Sequence, residues 1–281
     1  MHHQQNRKKV IIAGAGPGDP ELITIKAVRY LQKADVVLTD RLVNHEILNR
    51  YVKDSAEIIY AGKEGYNSAS TPQSVINHLL VQHALRNKLV VRLKGGDVSV
   101  FSNILDELSV LTENNIPFEI IPGITAASGA AAFTGIPLTA RGYSTAVRFL
   151  TYHNASVITN LAWKELAKTD DTLVFYMSAQ NLDELIAQLV SHSISPGKLL
   201  AVIEQATTVF QQVHTSTIGE FSENPRNKNY SSPALVIIGK VVGLYDSFRW
   251  FSKGTDQGTG FNENETTGFS EKYFLPELNN K

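Results

Sequence analysis

The sequence predicts an α/β protein with two domains, and three observations support this fold class. The chain has 281 residues, 43% of them hydrophobic, which is ample for a sizeable core. Short β-branched runs alternate with amphipathic stretches throughout its first half. These runs are almost continuously apolar, as is typical of strands in a largely parallel sheet that is covered on both faces.

The first half contains five predicted strands and two helices with clear start signals. The strands are KVIIA (9–13), DVVLT (35–39), EIIY (57–60), KLVVRL (88–93) and FEII (118–121). Asp19 is the expected N-cap of the first helix, and Pro20 its first residue. Its apolar stripe is Leu22, Ile25, Val28 and Leu31. Thr71 and Pro72 are expected to start the second helix in the same way.

A second α/β domain is predicted after the loop PLTARG. Its strands are AVRFLT (146–151), TLVFY (172–176), LLAVIE (199–204), a polar alternating run around VHTSTI, and ALVIIG (234–239), with helices over 161–168 and 181–191. The expected organisation is a flexible N-terminus (1–8), an N-terminal domain (9–140), a C-terminal domain (141–251) and a disordered tail (252–281). The tail is rich in Gly, Asn, Thr and Glu without sustained periodicity.

Composition and charge exclude several classes of protein. Lys and Arg total 26 against 27 for Asp and Glu, so nothing favours nucleic acid or an anionic membrane as a partner. The absence of cysteine excludes disulfides and thiolate chemistry and fits a cytoplasmic protein. His78 and His83 are five residues apart, which is not a helical metal-ligand spacing, so no metal is expected. No secretory signal or membrane-spanning segment is expected.

Glycine-rich segments follow three of the predicted strands. They are GAGPGD after the first strand, KGGD after KLVVRL, and PGITAASG after FEII. Ligands of open α/β sheets bind outside the carboxyl ends of the strands. We therefore expect these three loops to converge on one edge of the sheet and to form a binding crevice.

The first glycine loop departs from the dinucleotide-binding fingerprint. Gly14 and Gly16 match its first and third positions, but Asp19 stands at the sixth, where the fingerprint has glycine. Pro17 also lacks a backbone N–H that a phosphate would use. An NAD-dependent oxidoreductase is therefore disfavoured. The loop suits a ligand without phosphates, such as cationic S-adenosylmethionine, or serves only as a tight turn with Asp19 as a cap.

Six blocks over roughly residues 9 to 251 carry a recognisable pattern. They are VIIAGAGPGDPELITIKAVRYLQKADVVLTDRLV, LVVRLKGGD, IPFEIIPGITAASGAAAFTGIPLT, TLVFYM, AVIEQAT and SPALVIIGKVV. In this order and spacing they resemble the tetrapyrrole methylases, and within that family the uroporphyrinogen-III C-methyltransferases. The resemblance implies a two-domain tetrapyrrole methylase (class III methyltransferase) fold with the cofactor in a cleft between the domains.

The same resemblance implies a reaction and its partners. S-adenosyl-L-methionine would methylate uroporphyrinogen III at C2 and C7, giving precorrin-2 for sirohaem or cobalamin synthesis and S-adenosyl-L-homocysteine as the second product. The protein would be a homodimer that binds a tetrapyrrole small molecule, with neither nucleic acid nor membrane as a partner.

The family's functional residues transfer to matching positions of this chain. Asp40, in TDRLV, is the implied proton acceptor and Lys63, in AGK, the implied proton donor. The implied cofactor-binding residues are Pro17, Gly95, Gly96, Asp97, Val100, Thr125, Ala126, Met177 and Ala206. Since the substrate carries many carboxylates, nearby arginines are expected to bind it, namely Arg41, Arg141 and Arg148.

The chain also departs from the family pattern, which leaves alternatives open. After KGGD the family commonly has a Pro-Phe-x-Phe-Gly-Arg-Gly type segment, whereas this chain has VSVFSNILDE, and EQAT has Ala206 in place of a glycine. The cofactor loop is thus retained while part of the substrate surface differs. The alternatives are a methyltransferase for a later precorrin and a non-catalytic S-adenosylmethionine-binding homologue.

Overall fold

The chain forms two compact units that divide between Thr125 and Ala126. A computed structural model describes residues 9–61, 71–86, 88–153, 158–223 and 230–251. The division falls earlier than the expected domain boundary at 140/141, because helix α5 (Ala126–Thr134) packs its Ala127 and Ala130 into the core of the second unit. The expected flexible N-terminus (1–8) and tail (252–281) lie outside the described residues.

The N-terminal unit contains one sheet in which every described strand pair is parallel, as predicted. The strand order is β3-β2-β4-β1-β5. Its elements are β1 (Val10–Gly14), α1 (Ile25–Leu31), β2 (Val36–Thr39), α2 (His45–Tyr51), β3 (Glu57–Tyr60), α3 (Gln73–Leu85), β4 (Val90–Lys94), α4 (Ile104–Glu113) and β5 (Phe118–Ile121). All five strands overlap the predicted runs.

Apolar residues alternate between two cores in this unit. Ile11 of β1 packs with Ala27 and Leu31 of α1 on one side of the sheet. Val10 packs with Leu80 of α3 and Leu111 of α4 on the other. The sheet is therefore covered on both faces, and the carboxyl ends of its strands are positioned by buried packing.

Two predicted helix starts are wrong. Asp19 accepts a hydrogen bond from the Glu21 amide (2.8 Å) and caps only a single 3₁₀ turn. Ile23 is then extended, and α1 starts afresh with Thr24 as its N-cap. Thr71 does not cap α3 either, because Pro72 occupies the N-cap position without a side-chain cap. Because Pro72 is exposed, water can accept hydrogen bonds from the first free amides of α3, so the helix forms without a side-chain cap.

The C-terminal unit contains a mixed sheet with strand order β6-β7-β10-β8-β9. After α5 its elements are β6 (Val147–Thr151), α6 (Asn160–Lys168), β7 (Thr172–Tyr176), α7 (Leu182–Ser191), β8 (Leu199–Glu204), β9 (Gln212–Thr217), α8 (Ile218–Glu223), β10 (Ala234–Ile238) and α9 (Tyr245–Phe248). β6 and β7 are parallel, while β10 is antiparallel to both β7 and β8. No described helix is long and apolar enough to cross a bilayer.

Candidate functional site

Three glycine loops meet at the carboxyl edge of the N-terminal sheet, as predicted. Gly16 and Gly96 form an antiparallel bridge with hydrogen bonds in both directions, at 3.1 and 2.8 Å. The Ala15 amide also donates to the Lys94 carbonyl (2.8 Å). The loop after β1 is thus fixed to the loop after β4 by backbone contacts alone.

Backbones in this region approach so closely that side chains are excluded. A Cβ on Gly14 would lie 2.6 Å from the Gly96 oxygen and 2.7 Å from the Gly123 nitrogen. A Cβ on Gly123 would lie 2.3 Å from the same Gly96 oxygen. Such distances are below any ordinary contact, so glycine is required where the three loops touch. The first glycine of the opening loop therefore serves loop packing.

Asp97 joins two of these loops through its carboxylate. Its Oδ2 accepts a hydrogen bond from the Gly123 amide (2.8 Å), and its Oδ1 accepts from the Ser99 amide (2.8 Å) and hydroxyl. Burial alone would raise the pKa of Asp97, but these hydrogen bonds outweigh it and lower the pKa. Both carboxylate oxygens of Asp97 therefore accept hydrogen bonds from this chain, although Asp97 is also an expected cofactor-binding residue.

Pro17 lies in a loop that helix α2 holds in place. It is half-buried between Gly16, with φ 86°, and Gly18, with φ 150°. The buried Asn44 donates to the Gly18 carbonyl (2.9 Å) and accepts from the Glu46 amide (3.0 Å). One side chain thus caps α2 and anchors the loop, a contact that sequence analysis missed because it joins residues 26 positions apart.

Asp40 follows β2 and lies against the loop after β4. Its Oδ1 accepts from the Leu42 amide (3.0 Å) and its Oδ2 from the Gly95 amide (3.4 Å). A Cβ on Gly95 would lie 2.8 Å from the Leu42 Cβ, so this loop also needs glycine. The half-buried carboxylate is therefore oriented at the carboxyl edge of the sheet. Lys63, the expected proton donor, lies outside the described residues.

A buried ionic cluster that sequence analysis did not identify lies behind Asp40. Glu107 is fully buried and accepts from Arg92 Nε (2.9 Å) and from Lys94 Nζ, with 3.0 Å to each of its oxygens. Burial is the largest cause of a lowered pKa at Lys94, followed by the charge of Arg92. The sequence does contain a signal for this cluster. Arg92 and Lys94 are two residues apart, which places both cations on one face of an otherwise apolar strand, where a buried counter-charge is needed.

Two loops of the C-terminal unit carry the expected cofactor residues Met177 and Ala206. Tyr176 at the end of β7 and Glu204 at the end of β8 pair with the first residues of β10, so both loops leave the sheet at the same edge. Met177 has φ 56° and its side chain is exposed. Gln205 (φ 45°) and Thr207 (φ 69°) flank buried Ala206. Such left-handed non-glycine residues cluster at functional sites.

Polar contacts hold the loop after β8 in its left-handed conformations. The backbone amide of Gln205 donates to the Pro233 carbonyl (2.7 Å), and the backbone amide of Thr207 donates to Gln211 Oε1 (2.8 Å). Gln205 Oε1 is buried without a hydrogen-bond partner among the described residues. A buried acceptor of this kind is costly unless a ligand or water satisfies it.

The remaining expected cofactor residues lie close to these loops along the chain. Val100 is half-buried, and its amide donates to the Asp97 carbonyl (3.4 Å). Thr125 ends the N-terminal unit, and Ala126 begins α5. The amide of the next residue, Ala127, donates to the Tyr176 hydroxyl (3.1 Å), which connects α5 to the end of β7.

The three candidate arginines differ in their surroundings. Arg41, next to Asp40, and Arg141, in the loop after α5, are both exposed. Arg148 lies on β6, where its Nε donates to Asp171 (2.6 Å) and its Nη1 lies 3.8 Å from Glu165. Arg148 is therefore already engaged by two carboxylates of its own unit.

The segment VSVFSNILDE, which departs from the expected pattern, contains an irregular turn. Phe101 (φ 50°) and Asn103 (φ 52°) both adopt left-handed conformations before α4 begins. Asn103 Nδ2 donates to Asp106 Oδ2 (2.9 Å). No cluster of three or more potential metal ligands is present among the described residues.

Comparison with known proteins identifies the family. The model of the tetrapyrrole (corrin/porphyrin) methylases matches residues 9–222. The chain belongs to this family. A siroheme synthase of Vesicomyosocius okutanii is 45% identical to this tetrapyrrole methylase over 86% of the chain and 52% of the relative. A siroheme synthase of Pseudomonas putida is 44% identical over 88% of the chain and 53% of the relative. The chain thus spans about half the length of these curated relatives.

Solved structures share the fold. The uroporphyrin-III C-methyltransferase from Thermus thermophilus has 32% identity and a TM-score of 0.72, with 87% of this methylase and 97% of that chain covered. The structure of the Thermus enzyme complexed with S-adenosyl homocysteine has a TM-score of 0.69, with 84% of this methylase and 100% of that chain covered. A cobalt precorrin-4 methyltransferase is 24% identical and has a TM-score of 0.75, with 86% of this methylase and 99% of that chain covered. At this identity the similarity shows the fold alone. The predicted α/β tetrapyrrole methylase fold is confirmed.

Proposed function

We propose that this methylase transfers methyl groups from S-adenosylmethionine to C2 and C7 of uroporphyrinogen III, giving precorrin-2. The observation that carries the proposal is the similarity to the Thermus uroporphyrin-III C-methyltransferase along 97% of that chain. The curated relatives, named siroheme synthases, support a product that feeds sirohaem synthesis. We also propose a cytoplasmic homodimer, with cobalamin synthesis as the alternative use of the product.

Each unit, taken by itself, contains residues that suit S-adenosylmethionine as the methyl donor. The opening loop combines Pro17, which has no N–H, with a neighbouring carboxylate at Asp19, so it suits a ligand without phosphates. Gln205 Oε1, which is buried and has no hydrogen-bond partner within the described ranges, is an acceptor suited to an amino group of a ligand. When bound, the sulfonium of the cofactor supplies an electrophilic methyl group.

Asp40 is the proposed proton acceptor. Methyl transfer to a pyrrole carbon would exchange the S–CH3 bond of the sulfonium for a C–C bond, with the neutral thioether S-adenosylhomocysteine as leaving group. The positive charge passes to the macrocycle, so a proton must depart to restore a neutral product. Amides of Leu42 and Gly95 hold the carboxylate in one orientation without burying it completely. A fixed, half-exposed carboxylate can accept a proton from a substrate and then release it to solvent. Lys63 is the proposed proton donor.

Arg41, Arg141 and Arg148 are the proposed partners of the substrate carboxylates. Arg41 and Arg141 are exposed, so their guanidinium groups are accessible to a large anionic substrate. Arg148 would have to share its guanidinium with Asp171, which makes it the weakest of the three candidates. In each case a bidentate arginine would orient the macrocycle, while Asp40 acts on the proton.

The proposal is tested by anaerobic incubation with S-adenosylmethionine and enzymatically prepared uroporphyrinogen III. We expect the product mass to increase by two methyl groups, with the absorbance of precorrin-2. Binding of S-adenosylmethionine by calorimetry without any methyl transfer would contradict the proposal and favour the non-catalytic homologue. Methylation of a later precorrin but not of uroporphyrinogen III would assign the other substrate. Asp40→Asn is expected to abolish turnover while binding of the cofactor persists.

A further inference from the structure

The loop after β8 holds Gln205 in a left-handed conformation. Its φ is 45°, and its backbone is engaged on both sides. The amide donates to the Pro233 carbonyl (2.7 Å), while the carbonyl accepts from the amide (3.2 Å) and the hydroxyl (2.8 Å) of Thr208. Left-handed backbone at a residue other than glycine costs free energy and persists where the surrounding structure imposes it. The main-chain contacts therefore fix the position from which the Gln205 side chain extends.

The side chain of Gln205 is buried, yet its oxygen lacks a hydrogen bond. The residue is 6% exposed, and Oε1 has no partner in the described part of the chain. A buried amide oxygen has given up its hydrogen bonds to water, so an unpaired one destabilises the protein until a donor reaches it. A donor on a ligand would remove this cost, which makes Gln205 a candidate for ligand recognition.

The surroundings of Gln205 distinguish between the two amino groups of S-adenosylmethionine. The α-ammonium of the methionine part is charged, whereas the 6-amino group of adenine is a neutral donor. A buried ammonium needs a carboxylate beside it. The adjacent carboxylate, Glu204, is buried, and both of its oxygens are in contact with this chain: Oε1 lies 2.6 Å from His214 Nε2, and Oε2 accepts from the Ser231 amide (2.6 Å). Gln205 thus offers a neutral acceptor, which suits the neutral donor.

Apolar groups near Gln205 in the C-terminal unit suit a purine ring. The next residue, Ala206, belongs to a buried apolar cluster with Leu235, and Val213 packs against that cluster. Met177, whose loop leaves the sheet at the same edge, exposes 57% of its surface. A thioether is polarisable and makes favourable contacts with aromatic rings. This edge of the unit therefore combines apolar and polarisable surface with an unpaired amide oxygen.

We propose that Gln205 selects adenine: its Oε1 accepts a hydrogen bond from the exocyclic 6-amino group of S-adenosylmethionine. This inference rests on the proposed use of S-adenosylmethionine as methyl donor. A buried acceptor discriminates against an analogue that lacks the matching donor, because the acceptor then stays unpaired. Gln205 thus determines which purine the cofactor carries, in addition to contributing affinity.

The test compares the binding of S-adenosylhomocysteine with that of its 6-deamino analogue, in which hydrogen replaces the amino group, by calorimetry. The wild type should bind the amino form about tenfold more tightly. Gln205→Met replaces the amide by an apolar chain of similar length, so it should bind both forms with nearly equal affinity. The proposal is overturned if the wild type shows no preference, or if Gln205→Met keeps the full preference.

A second analogue separates the two amino groups. S-adenosylhomocysteine without its α-amino group retains adenine, so the affinity lost with this analogue should be the same in the wild type and in Gln205→Met. If the substitution instead removed the discrimination against this analogue alone, Gln205 would bind the α-ammonium, and the proposal would be wrong.

Gln212→Met is the matched control. Gln212 stands opposite Glu204 in strand register, so it lies at the same edge of the sheet, but it is exposed. This variant should keep the preference of the wild type for the amino form. A loss of preference as large as that in Gln205→Met would reveal a general effect on this edge and would count against a specific role of Gln205.

Stability of the ligand-free protein separates recognition from a structural role. Since Gln205→Met removes a buried oxygen without a partner, its midpoint of urea denaturation should be equal to or higher than that of the wild type. A lower midpoint would mean that Oε1 is already satisfied without a ligand, which would overturn the proposal.

These measurements need no methyl transfer, so they remain informative if uroporphyrinogen III is not methylated. Failure of the wild type to bind S-adenosylhomocysteine would remove both this inference and S-adenosylmethionine as the methyl donor. Binding without any preference for the amino form would overturn the role of Gln205 alone and leave the proposed reaction in place.

Discussion

The Gly123 amide donates a 2.8 Å hydrogen bond to Asp97 Oδ2, which joins the loop after β5 to the loop after β4. Through Gly96, the loop after β4 is bridged in turn to the loop after β1. One carboxylate therefore helps to hold all three glycine loops together. The hydrogen bonds of Asp97 therefore stabilise the loops at the carboxyl edge of the sheet, and this role does not depend on a bound ligand.

Replacement of Asp97 by asparagine should destabilise the protein. Asparagine has one oxygen, so its amide nitrogen would face either the Gly123 or the Ser99 donor. We expect a loss of about 2 kcal/mol in the free energy of unfolding, measured by urea denaturation, since a buried charged acceptor is lost. Asp106→Asn is the control, because the exposed carboxylate of Asp106 accepts a hydrogen bond from the Asn103 side chain, which an asparagine oxygen can also accept. Equal stability of the two variants would contradict this role of Asp97.

Gly123→Ala should disrupt the meeting point of the loops. The new methyl group would lie 2.3 Å from the Gly96 oxygen, and the contacting atoms are backbone, which cannot move aside cheaply. We expect a destabilisation of about 2 kcal/mol or more and a weaker affinity for S-adenosylmethionine by calorimetry. Gly197→Ala is the control, because its Cβ would meet only Ser195 Oγ at 3.9 Å. Wild-type stability in Gly123→Ala would show that the loops separate easily.

Much of the fold could be predicted from local patterns. Every described strand overlaps a predicted run, since β-branched apolar segments of four to six residues have few alternatives to a buried strand. The antiparallel direction of β10 was not predictable in this way, because direction depends on connections between strands. The start of α1 was mispredicted because Thr24 and Asp19 are both good caps, and only the extended Ile23 decides between them.

The site was predictable only in part. The convergence of the glycine loops follows from the rule that parallel strands end at one edge. The contacts of Asp97 with Gly123 and of Asn44 with Gly18 join residues 26 positions apart, which one sequence does not reveal. The buried Arg92–Glu107–Lys94 cluster combines a strand and a helix in the same way. The pattern of a single sequence indicates which residues are polar or charged at an unusual position, but it does not show which of them contact each other.

Glu107→Gln should be among the most destabilising single changes in the N-terminal unit. It removes the carboxylate that both Arg92 and Lys94 contact and leaves two buried cations without a counter-charge. We expect a loss of about 3 kcal/mol or more in unfolding free energy. Glu113→Gln, at the exposed end of α4, should have little effect. A similar small effect in Glu107→Gln would mean that water reaches the cluster.

Glu119 should make stability depend on pH in the acidic range. Hydrogen bonds from Lys26, then from Lys9 and Tyr30, lower its pKa from 4.5 to about 2. Because the folded-state pKa is depressed, the contribution is complete above pH 4.5 and is lost as the pH falls through about 2. Glu119→Gln should therefore be less stable than the wild type by at most about 1 kcal/mol near neutral pH, since solvent screens this surface network. Urea denaturation of both proteins from neutral to acid pH should show that difference disappear; a difference that persists at the acid end would contradict it.

Arg41→Ala and Arg141→Ala should weaken binding of the tetrapyrrole more than turnover. Both arginines are exposed and lie in or next to sequence blocks that resemble the family, so each is accessible to a substrate carboxylate. Losing one charge-assisted contact made equally in the ground and transition states should raise KM about tenfold and leave kcat nearly unchanged. Arg50→Ala is the control, because Arg50 is occupied by Glu46 and Glu21 on α2 and the adjoining turn. Steady-state kinetics with uroporphyrinogen III distinguishes the outcomes, and an unchanged KM in both variants would remove these arginines from the substrate site.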